Sequence, residues 1–382
     1  MIYIHVPFCR SFCTYCDFYS EVCGREAALF QRYTDDLCAE IRARRDEILA
    51  AAGVRTLYIG GGTPSVLPLE CLRKIVEELK LAEAPVRPGR NSAESGQEFG
   101  PWEEFTIEVN PEDIVERGAD YVRSLPALGV NRISMGVQSM DDGMLHWMNR
   151  RHSADGAREA WKIISAVGQG QLDRSIDLIT GVPAMSLKML SETLDEVLEW
   201  RPEHISAYQL SVEEGSALAA MIARGQAAEL PEEDCRAQYD LVCRRLAAAG
   251  YYHYEISNWA LPGHKAKHNS AYWTRQPYVG LGPGAHSLEI LPCQKRPKTS
   301  DPPAKNVGGP SKSAENAGVP ELGRQIRKWN SRQTTGWKEE GSEVLSAEEI
   351  REESVMLLAR TDRGPIPERD WFVADDLIAN LL

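Results

Sequence analysis

Cys9, Cys13 and Cys16 fall within eight residues, in the run Cys-Arg-Ser-Phe-Cys-Thr-Tyr-Cys. Thiolates grouped in this way are soft ligands that select zinc, copper(I) or an iron–sulfur cluster. A structural zinc ion takes four protein ligands, and here a fourth could come from His5 or Cys23, so a zinc site is a rival reading. Against it, zinc sites are normally built from two separated ligand pairs, whereas these thiols share one continuous loop. A four-iron cluster held by three thiolates would leave one iron open to a small-molecule ligand.

These thiols need a frame, and the hydrophobic pattern supplies one. Ile2–Val6 reads as a strand leading into the cysteine loop. Residues 27–51 read as a helix, with Leu29, Tyr33, Leu37 and Ile41 at near-helical spacing. Residues 56–59 form a second strand candidate ended by Gly60, Gly61 and Gly62, and a helix follows over 68–81. Residues 105–109 and 133–137 are the third and fourth strands, joined by a helix that Pro111 suits as a start. Residues 143–167 read as largely helical, 176–179 as a fifth strand, 187–200 as a helix and 205–210 as a sixth strand. Strand–helix units repeated in one direction predict a parallel sheet with helical crossovers, either open or a partial barrel. Cys9, Gly61, Glu108, Gln138 and Asp177 all lie at carboxyl strand ends, where α/β proteins place their sites. Taken singly, Glu108 and Asp177 would serve equally well as loop caps.

The chain has 382 residues, 43 basic and 56 acidic, for a formal charge of −13. That balance disfavours nucleic acid as a partner, and Arg42, Arg44 and Arg45 read as a solvated helix face. No stretch has the length to span a membrane, and MIYIHVPFC lacks the basic leader and apolar core of a signal peptide. The expected location is cytoplasmic, with peripheral membrane contact left open. Nine cysteines, three crowded and the rest scattered, make one thiolate site plus ordinary buried thiols rather than a disulfide framework. Residues 83–104 and 292–323 are polar and rich in Pro, Gly and Ser, so they read as exposed insertions. The expected organisation is therefore a barrel over 1–215, a flanking region over 216–290, a flexible insertion over 291–323 and a small accessory domain over 324–382.

YIHVPFCRSFCTYCDF resembles the radical S-adenosylmethionine (radical SAM) proteins. Their shared signature is Cys-x3-Cys-x2-Cys after the first strand of a partial (β/α)6 barrel. Within them it resembles the branch containing oxygen-independent coproporphyrinogen III oxidase and its haem-chaperone relatives. The resemblance implies an α/β fold, namely that partial barrel with a smaller C-terminal accessory domain. It also implies a [4Fe-4S] cluster on Cys9, Cys13 and Cys16 whose open iron binds the amino and carboxylate groups of S-adenosylmethionine (SAM). In the family, reduction through the cluster can cleave SAM to a carbon radical. GGGTPS, with Gly61, Gly62 and Thr63, looks like the family's glycine motif, and glycines let a backbone approach a ligand closely. Tyr3, Glu108 in TIEVNP, Gln138 in RISMGVQS, Arg150 in NRRH and Asp177 in SIDLITGVP match SAM-contacting positions. Arg150 has a role independent of the label, as a bidentate partner for a carboxylate.

Two departures shift the expected outcome. The oxidases carry a further cysteine two positions after the third; this chain has Asp17 and then Phe18, as in the chaperone branch, with Phe18 expected to pack beneath the loop. ISN, HNSAYW and GLGPGAHS also resemble chaperone segments, and they supply His268, Asn269, Tyr272 and Trp273. Histidine can ligate haem iron and aromatic side chains can pack on a porphyrin, so His268 is the first choice for haem, with His264 and His286 as alternatives. Residues 352–359 resemble the accessory domain, but only 19 residues follow Arg363, so that domain reads as shortened. The implied function is a haem chaperone that binds the cluster, SAM and haem and passes haem to an acceptor haemoprotein, with a reductant serving the cluster. The alternative is a radical SAM oxidoreductase such as oxygen-independent coproporphyrinogen III oxidase.

Overall fold

The computed structural model describes residues 1–24, 26–51, 53–83, 102–168, 170–291, 323–379 and 381. The two expected insertions lie almost wholly outside the described residues. Six strands, β1 (Ile2–Val6), β2 (Thr56–Gly61), β3 (Glu104–Val109), β4 (Arg132–Gln138), β5 (Asp173–Thr180) and β6 (His204–Gln209), pair parallel in that order. Crossing between them are α1 (Ala27–Ala43), α2 (Arg45–Ala50), α3 (Leu69–Glu83), α4 (Pro111–Leu128), α5 (Asp142–Trp147), α6 (Ala154–Gly168) and α7 (Leu187–Trp200). This is the expected partial (β/α)6 barrel.

Residues assigned by sequence to a flanking region extend the same sheet at both edges. After α8 (Ala217–Ala223) and α9 (Glu232–Ala248), β7 (Tyr252–Glu255) and β8 (Asn258–Ala260) continue it antiparallel beyond β6. Following α10 (Lys267–Trp273), β9 (Val279–Leu281) joins parallel to β1 at the opposite edge. The smaller C-terminal module is an antiparallel sheet of β10 (His286–Leu291), β11 (Arg324–Asn330) and β12 (Glu339–Leu345), with α11 (Ala347–Ala359) and α12 (Ala374–Ala379). Leu288, Leu345 and Ile350 make a small core of its own, whereas Ile366, Trp371 and Ile378 join the barrel's core. Trp371 lies edge-on to His253, at 4.5 Å between ring centroids.

The barrel strands alternate, with Ile179 an apolar exception on the lumen side. Ile2, Ile4 and Val6, Leu57 and Ile59, Phe105, Ile107 and Val109, Ile133, Met135 and Val137, Ile176 and Leu178, and Ile205 and Ala207 all belong to the buried apolar core. Successive strand side chains point to opposite faces, so the intervening residues turn to the other side: Tyr3 and His5, Thr56 and Tyr58, Glu104 and Glu108, Arg132 and Ser134, Ser175 and Asp177, His204 and Ser206. Parallel strands are usually apolar on both faces. Here one face packs the helices and the other lines a polar lumen.

Two expectations change. The helix expected over 27–51 breaks at Arg44, whose guanidinium bonds Glu40, Glu47, the Gly280 carbonyl and the Ser287 hydroxyl. Arg44 is thus a tie between the first helices and strands β9 and β10, not part of a solvated face. The helix expected over 143–167 is interrupted between Trp147 and Ala154, where Asn149 takes a positive φ of 56°. That interruption delivers Arg150 to the lumen.

Candidate functional site

The cysteine loop crosses the carboxyl ends of the barrel strands. Phe8–Cys9 pairs with Glu21–Val22 and closes the loop at its base. Its far side is held by the α5–α6 connection: Thr14 donates from its amide to the Met148 carbonyl (3.1 Å) and from its hydroxyl to that of Trp147 (2.8 Å). Asn149 Nδ2 donates to the Phe12 carbonyl at 2.6 Å.

Beneath the loop lies a cavity of about 420 Å³, within the range for small-molecule sites. Of the residues singled out by sequence, Cys9, Cys13, Cys16, Gly61, Gly62, Thr63, Glu108, Gln138, Arg150 and Asp177 all line it. Tyr3 and His268 do not. The Tyr3 hydroxyl instead meets His5 Nδ1 at 2.9 Å, lower in the barrel. Tyr58, Asn110, Arg132, Ser134, Ser175, His204, Ser206, Tyr208 and Asn269 also line the cavity, none of them assigned to a SAM or metal site by sequence. The signal that could have found most of them was the polar alternation within otherwise apolar strands.

Arg150 organises the upper cavity. Its guanidinium donates to Asn110 Oδ1 (2.7 Å), the Gly136 carbonyl (2.8 Å) and Cys13 Sγ (3.5 Å), leaving a buried Nε without a partner. The fork expected for bidentate carboxylate binding is therefore engaged through three of its five N–H donors, and Nε–H and one Nη1 hydrogen are left over. Asn110 Nδ2 in turn reaches Thr63 Oγ1 (3.2 Å), which lies 3.6 Å from Cys9 Sγ. Gln138 is held at a φ of 67° at a register shift between β4 and β5. Such backbone outliers in bulkier residues mark constrained positions.

Glu108 and Asp177 are neither loop caps nor surface groups. Glu108 accepts from the Tyr58 hydroxyl (2.6 Å) and the Gly61 amide (3.0 Å), while Asp177 accepts from the Ser134 hydroxyl. Burial, together with the nearby Asp177 carboxylate, pushes Glu108 up to about 7, and burial also raises Asp177. The raised Glu108 value has a consequence for stability. Below the ordinary value of 4.5 the neutral form costs nothing. Between there and about 7 the unfolded chain ionises first, so stability falls as pH rises through that window. Glu108→Gln is expected to gain on the wild type between pH 5 and pH 8, by roughly 1–2 kcal/mol, in urea unfolding of the ligand-free protein. An identical difference at both pH values would refute the assignment.

His5 spends Nδ1 on Tyr3 and Nε2 on the Tyr19 carbonyl (2.7 Å), so it offers nothing to a zinc ion. Among the described residues, no three or more His, Cys, Asp or Glu stand close enough for a single metal ion. Burial raises the Cys9 thiol and pushes Cys16 up to about 11; a metal or cluster arriving there would have to displace protons. Three unpaired thiols facing one cavity suit a cluster, and the unpartnered Arg150 Nε suits a ligand with an acceptor group.

The haem-directed residues are placed differently. His268 is 1% exposed, with Nδ1 on Thr56 Oγ1 (2.9 Å) and Nε2 on the Tyr272 hydroxyl (3.2 Å). It presents no lone pair to a haem iron unless α10 moves. Glu104 caps α10 by accepting from the Lys267 and His268 amides. Since Thr56 and Glu104 are the first residues of their strands, α10 closes the barrel at the end opposite the cysteine loop. His264 pairs with Asp173 at 2.9 Å, and His286 is exposed beside Trp329. Phe18, expected to pack beneath the loop, is instead 67% exposed at the cavity mouth.

Residues 3–197 match the Radical SAM superfamily. The heme chaperone HemW of Mycobacterium tuberculosis (strain H37Rv) is 35% identical over 287 residues, covering 75% of this chain and 68% of that protein. HemW of Escherichia coli K12 is 33% identical over 297 residues, covering 76% and 70%. The solved structure of coproporphyrinogen III oxidase (HemN) from Escherichia coli superposes with a TM-score of 0.67 at 18% identity, over 94% of this chain and 75% of that one. At that identity the likeness concerns the fold alone. The chain therefore belongs to the radical SAM superfamily. Within it, the homology is to the HemW-type heme chaperones.

Proposed function

We propose that this protein is a haem chaperone: it holds a [4Fe-4S] cluster and SAM at the upper cavity, binds haem, and passes it to an acceptor haemoprotein. The observation that carries this reading is the convergence of Cys9, Cys13 and Cys16 with Gly61–Thr63, Glu108, Gln138, Arg150 and Asp177 on one cavity. Homology to HemW supports haem as the cargo. When bound, the cluster would supply an open iron for SAM and an electron from an external reductant. The chain's own residues do the positioning. Arg150 and Asn110 fix the strand ends around the ligand, and the glycine run admits it close to the backbone. Glu108 and Asp177 provide oxygen acceptors for its donors. Haem contact with His268 would require α10 to leave the barrel end. A cytoplasmic location accords with unpaired thiols, and no described helix is long and apolar enough to cross a membrane.

The test is anaerobic reconstitution with iron and sulfide, followed by parallel assays of haem transfer to an apo-haemoprotein and of SAM cleavage with coproporphyrinogen III. Haem transfer that fails in the Cys9/Cys13/Cys16→Ala variant is expected. Stoichiometric release of protoporphyrinogen would instead make the protein an oxidoreductase, and tightly bound zinc without sulfide would overturn both.

A further inference from the structure

Seven rings form an unbroken series inside the barrel along the β1–β2 seam. It starts at Tyr19, just after the cysteine loop, and passes to His5 (6.2 Å between centroids), Tyr3 (6.0 Å) and Tyr58 (6.2 Å). From there it continues to His268 (5.2 Å), Tyr272 (5.1 Å) and Tyr278 (4.8 Å). Its upper end is the cysteine loop, and its lower end is α10 together with Tyr278 just before β9.

Hydrogen bonds make the series more than a stack. His5 Nε2 holds the Tyr19 carbonyl and Nδ1 holds the Tyr3 hydroxyl, while both nitrogens of His268 are engaged at the lower end. Tyr58 branches to Glu108, and so to the Gly61 amide. His5 is clamped from two sides. A Cβ on Gly61 would stand 2.5 Å from its ring, and one on Gly282 would stand 2.6 Å from its carbonyl oxygen. It therefore touches the cysteine loop, the glycine run, Tyr3 and the β9 turn at once.

We propose that His5 is a positioning residue that couples the cysteine loop to the α10 stopper through this ring column. Close-packed interiors transmit displacement because they have no slack to absorb it. A loaded loop fixes Tyr19, and through His5 and Tyr3 it holds Tyr58 and His268 in register, keeping α10 seated. An empty loop frees the upper end and lets α10 open. Coupling of this kind is reciprocal, so whatever draws His268 out of the column loosens the loop's hold on its ligand by the same factor. The coupling rests on the cluster that the proposed function places at the loop, and the use of the opening for haem rests on the haem-transfer part of that reading.

Hydrogen–deuterium exchange on the full chain, with no haem present, reads the coupling directly. Amides of 267–273 are compared between anaerobically loaded and cluster-free protein. In the wild type, loading is expected to slow their exchange by about 5-fold or more. Tyr3→Phe keeps the ring but deletes the hydroxyl that meets His5, and His5→Phe removes both bonds of the joint. Each is expected to abolish the difference while iron and sulfide content persist. Should His5→Phe fail to fold or load, Tyr3→Phe decides alone, since it alters one buried hydroxyl. Equal exchange in loaded and empty wild type, or an undiminished difference in Tyr3→Phe, would overturn the proposal. Failure of haem transfer leaves this measurement untouched, so the two readings fail separately.

Discussion

Arg150→Leu is expected to lower SAM affinity by about tenfold or more and to destabilise the protein by roughly 2–3 kcal/mol. Both effects have one cause. The substitution strands the Asn110 Oδ1 and Gly136 carbonyl acceptors that the guanidinium now satisfies, and it removes the cation beside Cys13. Unmade hydrogen bonds at buried acceptors cost more than the bonds themselves contribute, though the open cavity lets water soften part of the loss. Arg150→Lys tests whether charge alone suffices. An ammonium restores the point charge, but it cannot hold Asn110, Gly136 and Cys13 together from one plane, so only partial recovery is expected. Equilibrium SAM binding on the reconstituted protein and urea unfolding of the cluster-free form measure the two effects. Wild-type SAM affinity in Arg150→Leu would remove this residue from the site.

Gly62→Ala is expected to disrupt the cysteine loop directly. The added carbon would lie 2.7 Å from the Phe8 carbonyl oxygen and 2.9 Å from that of Val6. The Gly62 amide also donates to the Val6 carbonyl at 2.7 Å. These atoms are backbone of the strand that launches the cysteine loop, so no side chain can swing aside to make room. Overpacking of this kind costs about 1–3 kcal/mol. Here the displacement falls directly on Cys9, and iron per chain after reconstitution is expected to drop with stability. Gly53→Ala is the matched control, since a Cβ there meets nothing within 4 Å. If iron content and unfolding midpoint are the same in both variants, the close approach at Gly62 has no role in shaping the loop.

Much of the frame was legible because the barrel obeys simple periodicities. Leu57 and Ile59, Phe105 and Ile107, and Ile133 and Met135 mark strands, and Leu37 and Ile41 mark a helix face, whatever surrounds them. The break at Arg44 and the gap before Ala154 were not legible. Each depends on partners distant in sequence: Gly280 and Ser287 for Arg44, and Asn110 and Cys13 for the segment carrying Arg150. The polar members of the strands were visible as letters, but which side they faced was not. A serine at position 134 reads as a tolerated small residue until Asp177 is seen accepting its hydroxyl.

By itself the sequence determined the cysteine spacing, the glycine run and the strand–helix order, since these are local properties of consecutive residues. Only the tertiary structure decided what those residues face. It turned Tyr3 away from the cavity and onto His5, spent both nitrogens of His268 on Thr56 and Tyr272, and put Phe18 in solvent at the mouth. The physical reason is the same in each case. A side chain's chemistry is set by which donors and acceptors it has left after folding, and that balance is struck across strands that meet only when the barrel closes.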